Sequence, residues 1–398
     1  MQLNNLTPIN ENRPVDIAVD GEKIMTISPG SHSFQKDPFQ IHFTSATIFP
    51  GLINSHDHLD FNCFSILGQR KFLNYAEWGL YIHKYFKEDI DAILKIPQNL
   101  RAEWGMYKNL LTGITTVVNH GIQLKLENPK INIYQKSQNL HSVQFEKGWI
   151  WKLNNPLLKN KDCVIHIGEG SDKQSSREID RLIKFNIFKR KLIGVHGVAM
   201  NTSQAGKFKG LIWCPESNRV LLNRQAPIAD LKNHIPLVFG TDSTLSGNWN
   251  IWHHLRFARS LHQIKDAELF SMTTRIPARL WNLNNGELKP GRDADLVIIK
   301  KKNGIPTWDE VFKTNPEEIL LVIQKGRIRM FDKAMHSQMV NLPIHMEHFS
   351  QVSIKGHTKF VEGDLPGLIA SIKSYHPKLN FPVDVDGTMI YSINKQRI

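Results

Sequence analysis

The chain has 398 residues, 41% of them hydrophobic and 22% charged, the balance of a folded, soluble enzyme rather than a disordered polypeptide. Fifty Lys and Arg against 37 Asp and Glu leave a formal charge of +13. It reads as a solvated basic surface, because the cations are scattered and no zinc finger, helix-turn-helix or RNA-binding aromatic motif accompanies them. No run approaches the roughly 18 apolar residues of a membrane span, the N-terminus lacks the apolar core of a signal peptide, and Cys63, Cys163 and Cys214 are too far apart for a disulfide framework. The expected location is therefore the cytoplasm, and neither a membrane nor nucleic acid is an expected partner.

The first fifty residues read as β structure. Val15–Val19 alternates, Asp20-Gly21 is a hairpin turn signal, and Lys23–Ile27 alternates again. A third strand is expected over Ile41–Ile48, before Pro50-Gly51 punctuates the chain. Beyond that point, short apolar runs alternate with amphipathic stretches. Strands are expected at Gly51–Asn54, Thr115–Asn119, Leu140–Phe145, Asp162–Ile167, Leu192–His196, Gly210–Cys214 and Pro236–Gly240. Helices are expected at Ile90–Thr112, Arg177–Asn186 and Ile251–Gln263. Such alternation marks parallel β/α units. After about residue 285 the chain returns to β: a strand at Asp295–Ile299, a turn at Lys300-Lys301-Lys302, and a hairpin around Lys325-Gly326 within Ile319–Met330. Residues 332–398 are the least readable, with short β-like pieces, several prolines and a helix near Gly367–Tyr375. Three regions follow, 1–49, 50–284 and 285–398, and the outer two are expected to pair into one small β domain.

Four places in the middle region carry chemistry. His56 and His58 lie two apart at the end of an apolar run. Alternate residues of a strand face the same way, so the two imidazoles share a face, which suits a divalent metal such as zinc or iron. Asp57 lies between them, points the other way and is not counted as a ligand. His166, leaving Val164-Ile165, is a candidate third ligand, and Glu169 three residues on is within reach of the same cavity. A carboxylate beside activated water is suited to shuttling a proton. His196 ends the run Leu192–Val195, and Asp242 ends Val238–Thr241. Each feature alone has an ordinary explanation: a surface histidine pair, a solvated glutamate, a structural hydrogen bond, a helix cap. Together they put such residues at four strand ends, and in a parallel β/α barrel those ends converge on one rim.

In this combination the sequence resembles the amidohydrolase superfamily. The segments that carry the likeness are, in order, Phe49–His58, Gly113–Val118, His166-x-x-Glu169, His196-Gly197, Cys214–Asn218 and Gly240–Ser243. Lys289–Leu296 matches the strand that closes the family's composite β domain. Within the superfamily the chain looks like the mononuclear-metal branch of cytosine, guanine, adenosine and S-adenosylhomocysteine deaminases and triazine hydrolases. The resemblance implies an α/β fold: a TIM-like (β/α)8 barrel plus a small composite β-sandwich domain from both termini. It assigns His56, His58, His166 and Asp242 to one divalent ion, Zn2+ or Fe2+. It makes Glu169 the proton shuttle, and His196 and Asp242 the residues that orient the attacking water. No lysine is clearly placed for the carbamylated ligand of the binuclear branch. The stretch from Val118 to Val164 is short for two β/α units, so one unit is expected to be abbreviated. Leu140–Phe145 and Gly148–Trp151 would be what remains of strands three and four.

His120, Trp78 and Ser243 are candidate substrate contacts, and His83 and Tyr85 lie where relatives build a lid. Ser217 and Asn218 are expected to shape a loop, and Cys63 and Cys214 to be buried as small apolar residues. The expected activity is deamination of a small heterocyclic amine with release of ammonia. The alternatives are hydrolysis of a cyclic amide, as in imidazolonepropionase, displacement on a triazine-like ring, and a catalytically silent metal-binding homologue. Relatives often dimerise, so a homodimer is one expectation for the oligomeric state.

Overall fold

The computed structural model describes residues 1–30, 39–302 and 304–385. They divide into two compact units. One comprises the described parts of Met1–Gly51, Leu110–Thr115 and Glu287–Ile398, the other Leu52–Asn109 and Thr116–Gly286. Residues 386–398, the end of the segment least readable from sequence, lie outside the described residues. No helix among the described residues is long and apolar enough to cross a membrane.

In the first unit the sheet runs in the order Phe349–Ile354, His357–Glu362, Arg327–Asp332, Ile319–Gln324, Leu296–Lys300, Ala46–Pro50, Gln2–Pro8, Val15–Asp20, Lys23–Pro29. Gln40–His42 pairs with Gln2–Pro8 beside this path. Leu296–Lys300 runs antiparallel to Ala46–Pro50 with Ile298 opposite Ile48, so strands far apart in sequence share one ladder. Leu3, Ile17, Ile48, Ile298 and Phe331 are buried together in its core. The Asp20-Gly21 turn forms as its sequence requires, with Asp20 opposite Lys23 and Gly21 in the left-handed region at φ +51°.

Two strands here differ from the sequence expectation. Gln2–Pro8 gives no alternating pattern because it is bulged: its register shifts between Leu3 and Leu6, with Asn5 at φ +64°. The expected strand over Ile41–Ile48 breaks opposite that bulge into Gln40–His42 and Ala46–Pro50. The Asn5 amide donates to Phe43 O at the break, at 2.6 Å.

The second unit is built on eight strands: β1 (Leu52–Asp57), β2 (Ile114–Asn119), β3 (Asn132–Tyr134), β4 (Gln138–Ser142), β5 (Cys163–Ile167), β6 (Leu192–His196), β7 (Gly210–Trp213) and β8 (Leu237–Phe239). The first residues of β2 belong to the other unit. β1-β2-β3 form one sheet and β4 to β8 another, in chain order. The pairs β2–β3, β4–β5, β5–β6, β6–β7 and β7–β8 are all parallel. The end of β1 meets Asp242, three residues beyond β8. His58 N donates to Asp242 O at 2.8 Å, and Asp242 N donates to His56 O at 3.0 Å. β5 and β6 are buried at every position, the near-continuous apolar run of strands covered on both faces.

The single helix expected over Ile90–Thr112 is two, Lys87–Leu94 and Gln98–Leu110. Pro97 cannot donate into a helical ladder and disfavours the helical conformation at Ile96. A helix that was not expected, Tyr75–Tyr85, starts where the Asn74 side chain accepts a hydrogen bond from Glu77 N. β3 has three residues, too few for a periodic signal. Gly148–Trp151, expected to be a strand remnant, instead opens the helix Trp149–Leu153, with Gly148 at φ +67° as its N-cap. Strands three and four are Asn132–Tyr134 and Gln138–Ser142.

The helix Gln98–Leu110 passes the turn after His58 at Gly105, where an added Cβ would lie 2.1 Å from Leu59 O. Gly105→Ala is expected to destabilise the protein by about 1–3 kcal/mol, seen as a lower urea midpoint. An unchanged midpoint would mean that the Leu59 turn yields without cost.

Candidate metal-dependent active site

The structure brings His56, His58, His166 and Asp242 together from the ends of β1, β5 and β8, each offering a ligand atom within 4.8 Å of the others. His166 Nε2 lies 3.1 Å from His56 Nε2 and 3.4 Å from His58 Nε2. Asp242 Oδ1 lies 3.5 Å from His56 Nε2 and 3.6 Å from His58 Nε2. Ring nitrogens turned on one another in this way are arranged as ligands of a cation would be. The tautomer of His166 supports that reading. Its Nδ1 is 2.9 Å from the His141 carbonyl, which only accepts, so Nδ1 carries the proton and Nε2 presents a lone pair inward. Burial lowers the pKa of His58 to about 3 and that of His166 well below the usual histidine value, so both rings stay neutral and ligand-competent. Three imidazoles and one carboxylate fit a single divalent cation.

Asp242 is held as tightly as a ligand would need. Its Oδ2 accepts from Ser217 Oγ and Ser246 Oγ, both at 2.7 Å, leaving Oδ1 to face the histidines. Its backbone is left-handed at φ +64°, and that of His196 at φ +72°. For residues with a Cβ such strain costs about 1–3 kcal/mol and clusters at functional sites.

Glu169 follows β5 through Gly168, whose φ of +61° turns the chain back into the site. Its Oε2 is 3.5 Å from His196 Nε2. Burial, then the neighbouring carboxylates Asp242 and Glu178, hold its carboxyl well above the usual carboxylate range, which favours its protonated form. His196 Nδ1 donates to Asn218 Oδ1 at 2.9 Å, and burial lowers the pKa of His196 to about 4. Its Nε2 therefore faces the site with a lone pair. Ser217 and Asn218 thus do more than shape a loop: they orient Asp242 and His196.

A cavity of about 460 Å³ opens above this corner, lined at its floor by His58, His166, Glu169, His196 and Asp242. Trp78, His83 and Ser243 also line it, whereas Tyr85 is exposed and outside it. Trp78 Nε1 donates to Leu67 O at 3.1 Å and so is already satisfied. His120 is buried against the cluster, its ring centroid 4.5 Å from that of His166, with Nδ1 unpartnered. It does not line the cavity wall described above. Cys63 and Cys214 are buried, and desolvation pushes the Cys63 thiol up to about 12.

Two groups escaped the sequence reading. His141, on β4, lines the cavity and supplies the carbonyl that orients His166. The strand-end criterion that found His166 and His196 also covers it, but its strand was drawn three residues too far. The second is the set of partners of Asp57. As expected, Asp57 turns away from His56 and His58. Its Oδ2 accepts from Lys108 Nζ (2.8 Å), Asn109 Nδ2 (2.8 Å) and Asn54 Nδ2 (3.1 Å), and its Oδ1 from Asn62 Nδ2 (2.8 Å). Asp57 and Lys108 are both almost wholly buried.

Comparison with known proteins places this arrangement. Residues 158–329 match the model of the amidohydrolase family. A 5-methylthioadenosine/S-adenosylhomocysteine deaminase of Caldicellulosiruptor saccharolyticus is 25% identical over 395 residues, covering 81% of this chain and 90% of the relative. A 5'-deoxyadenosine deaminase of Methanococcus maripaludis is 26% identical over 354 residues, covering 72% and 83%. In fold the chain resembles an adenosine deaminase from Xanthomonas campestris solved with bound zinc, at a TM-score of 0.70, 15% identity, and coverage of 95% and 97%. It also resembles an atrazine chlorohydrolase from Arthrobacter aurescens complexed with zinc, at a TM-score of 0.64, 17% identity, and coverage of 94% and 99%. In sequence over residues 158–329, and in fold over most of its length, the chain is similar to the amidohydrolase family.

Proposed function

We propose that this protein is a metal-dependent aminohydrolase that exchanges the amine of a small heterocycle for oxygen and releases ammonia. The observation that carries the reading is the convergence of His56, His58, His166 and Asp242, the last three of them on the floor of a cavity that Glu169 and His196 also line. The names of its relatives, deaminases of adenosine derivatives, support it. In this reading the eight strands form a (β/α)8 barrel with an abbreviated unit between β2 and β5, and the first unit is the composite β-sandwich of the family. The hydrogen bonds between the end of β1 and Asp242 support the barrel.

A Zn2+ or Fe2+ ion bound by these four residues would supply water acidified toward neutral pH. The chain's own residues do the rest. His196 Nε2, with Nδ1 held by Asn218, is placed to accept a hydrogen bond from the attacking water and fix its direction. Asp242 Oδ1 takes one of its protons as oxygen adds to the amine-bearing ring carbon. Protonated Glu169 gives its proton to the adjacent ring nitrogen and is reprotonated from the added hydroxyl as the ring carbonyl forms, while the proton held on Asp242 passes to the amine, which leaves as ammonia. The balance is ring amine plus water giving ring carbonyl plus ammonia.

The test is purification with metal quantification, then an ammonia-release screen over aminated heterocycles. About one divalent ion per chain is expected, lost on chelation together with activity and absent from His166→Ala. A ring-opened acid in place of ammonia would make the protein a cyclic-amide hydrolase. A chain that holds the ion and turns over none of the panel would be a silent homologue.

A further inference from the structure

The cavity has two chemically different ends. Its floor carries the histidines and the carboxylates Glu169 and Asp242. Above it the wall is apolar: Phe61, Phe64, Trp78, Ile82, Leu221 and Leu245. Among the described residues no lysine, arginine, asparagine or glutamine lines it, although the chain carries a net charge of +13. Two of the polar groups beside the wall are already engaged, and the others, Tyr75, His83 and Ser243, offer only hydroxyl and imidazole groups. Trp78 Nε1 donates to Leu67 O, and Ser246 Oγ donates to Asp242 Oδ2. A ribose diol or an amino-acid zwitterion seated against that wall would give up its water with no carboxylate, amide or cation to replace it. An alkyl or aryl group would gain from burial there.

We infer that the substrate is an aminated heterocycle bearing an uncharged apolar substituent, and that the site disfavours a glycosyl or amino-acid group in that position. The inference rests on the aminohydrolase reading and names its substrate class.

Binding and turnover are measured separately. Zinc-loaded Glu169→Gln is titrated calorimetrically with 9-methyl-, 9-butyl- and 9-benzyladenine, adenosine and S-adenosylhomocysteine, and ammonia release is followed with the unmodified enzyme. Affinity is expected to rise about fourfold per buried methylene along the alkyl series. 9-Benzyladenine is expected to bind at least about tenfold more tightly than either nucleoside. Leu94→Asp, at a half-exposed position on the wall that tolerates charge, is expected to narrow that gap. Nucleosides that bind as tightly as 9-benzyladenine, or no binding by any probe, would overturn the inference whether or not ammonia appears. The expected affinity order without ammonia from any probe would uphold it and overturn the aminohydrolase reading instead.

Discussion

Glu169→Gln is expected to keep about one divalent ion per chain and to lower kcat by about two to four orders of magnitude, the usual contribution of a positioned acid–base group. The change is nearly isosteric. It keeps the contact near His196 Nε2, 3.5 Å away in the structure, and touches none of the four converging ligand atoms. What it removes is a proton that can be given and taken back. Burial, with Asp242 and Glu178 nearby, raises the proton affinity of Glu169 well above that of an ordinary carboxylate. Metal content and substrate affinity are therefore expected to hold while turnover collapses. A variant that turns over at close to the normal rate would remove Glu169 from the chemistry, and one that lost its metal would make the residue structural.

The second large effect lies behind the metal corner. Lys108→Met is expected to destabilise the protein by about 3–5 kcal/mol, because it leaves the Asp57 carboxylate buried without its counter-charge. Lys108 and Asp57 are about 1% and 0% exposed, so solvent does not screen the pair. The double variant Lys108→Met/Asp57→Asn is expected to recover a large part of the loss, since no uncompensated charge remains. Asp57 joins the two candidate ligands His56 and His58 in the chain, and the Lys108 ion pair fixes its orientation. Loosening it is therefore expected to weaken metal affinity about 10–100-fold, as loss of ligand-orienting partners does. Urea unfolding at fixed zinc concentration and competition with a chromophoric chelator read the two effects separately. Wild-type stability in Lys108→Met would mean that Asp57 takes up a proton or finds water at little cost.

Much of this site was legible as strand ends. β5 and β6 are short, wholly apolar runs that each end at or next to a histidine, and the parallel β/α pattern sends such ends to one rim. The parts that were not legible have local causes. β3 is too short to show a period, and the strand Gln2–Pro8 is bulged at Asn5 out of the alternation that would betray it. The helix Trp149–Leu153 has an apolar run that reads as strand, and only its left-handed Gly148 cap sets it apart. His141 was hidden because its strand was expected to end at Phe145, three residues past the observed end, which put it near the strand's start rather than near its end.

Read alone, the sequence supplied the identity and order of the chemical groups: two histidines on one strand face, a histidine and a glutamate three apart, and a histidine and an aspartate that each close an apolar run. Those assignments rest on periodicity, which is local and survives without coordinates. What only the tertiary structure decided is every relation between residues distant in the chain. It set the tautomer of His166 through the His141 carbonyl, and the saturation of one Asp242 oxygen by Ser217 and Ser246. It also set the burial that raises the pKa of Glu169, and the apolar wall above it. Proton positions and pKa values depend on which groups packing brings within a few ångströms, and strands that meet across a fold leave no pattern of that meeting in their own sequences.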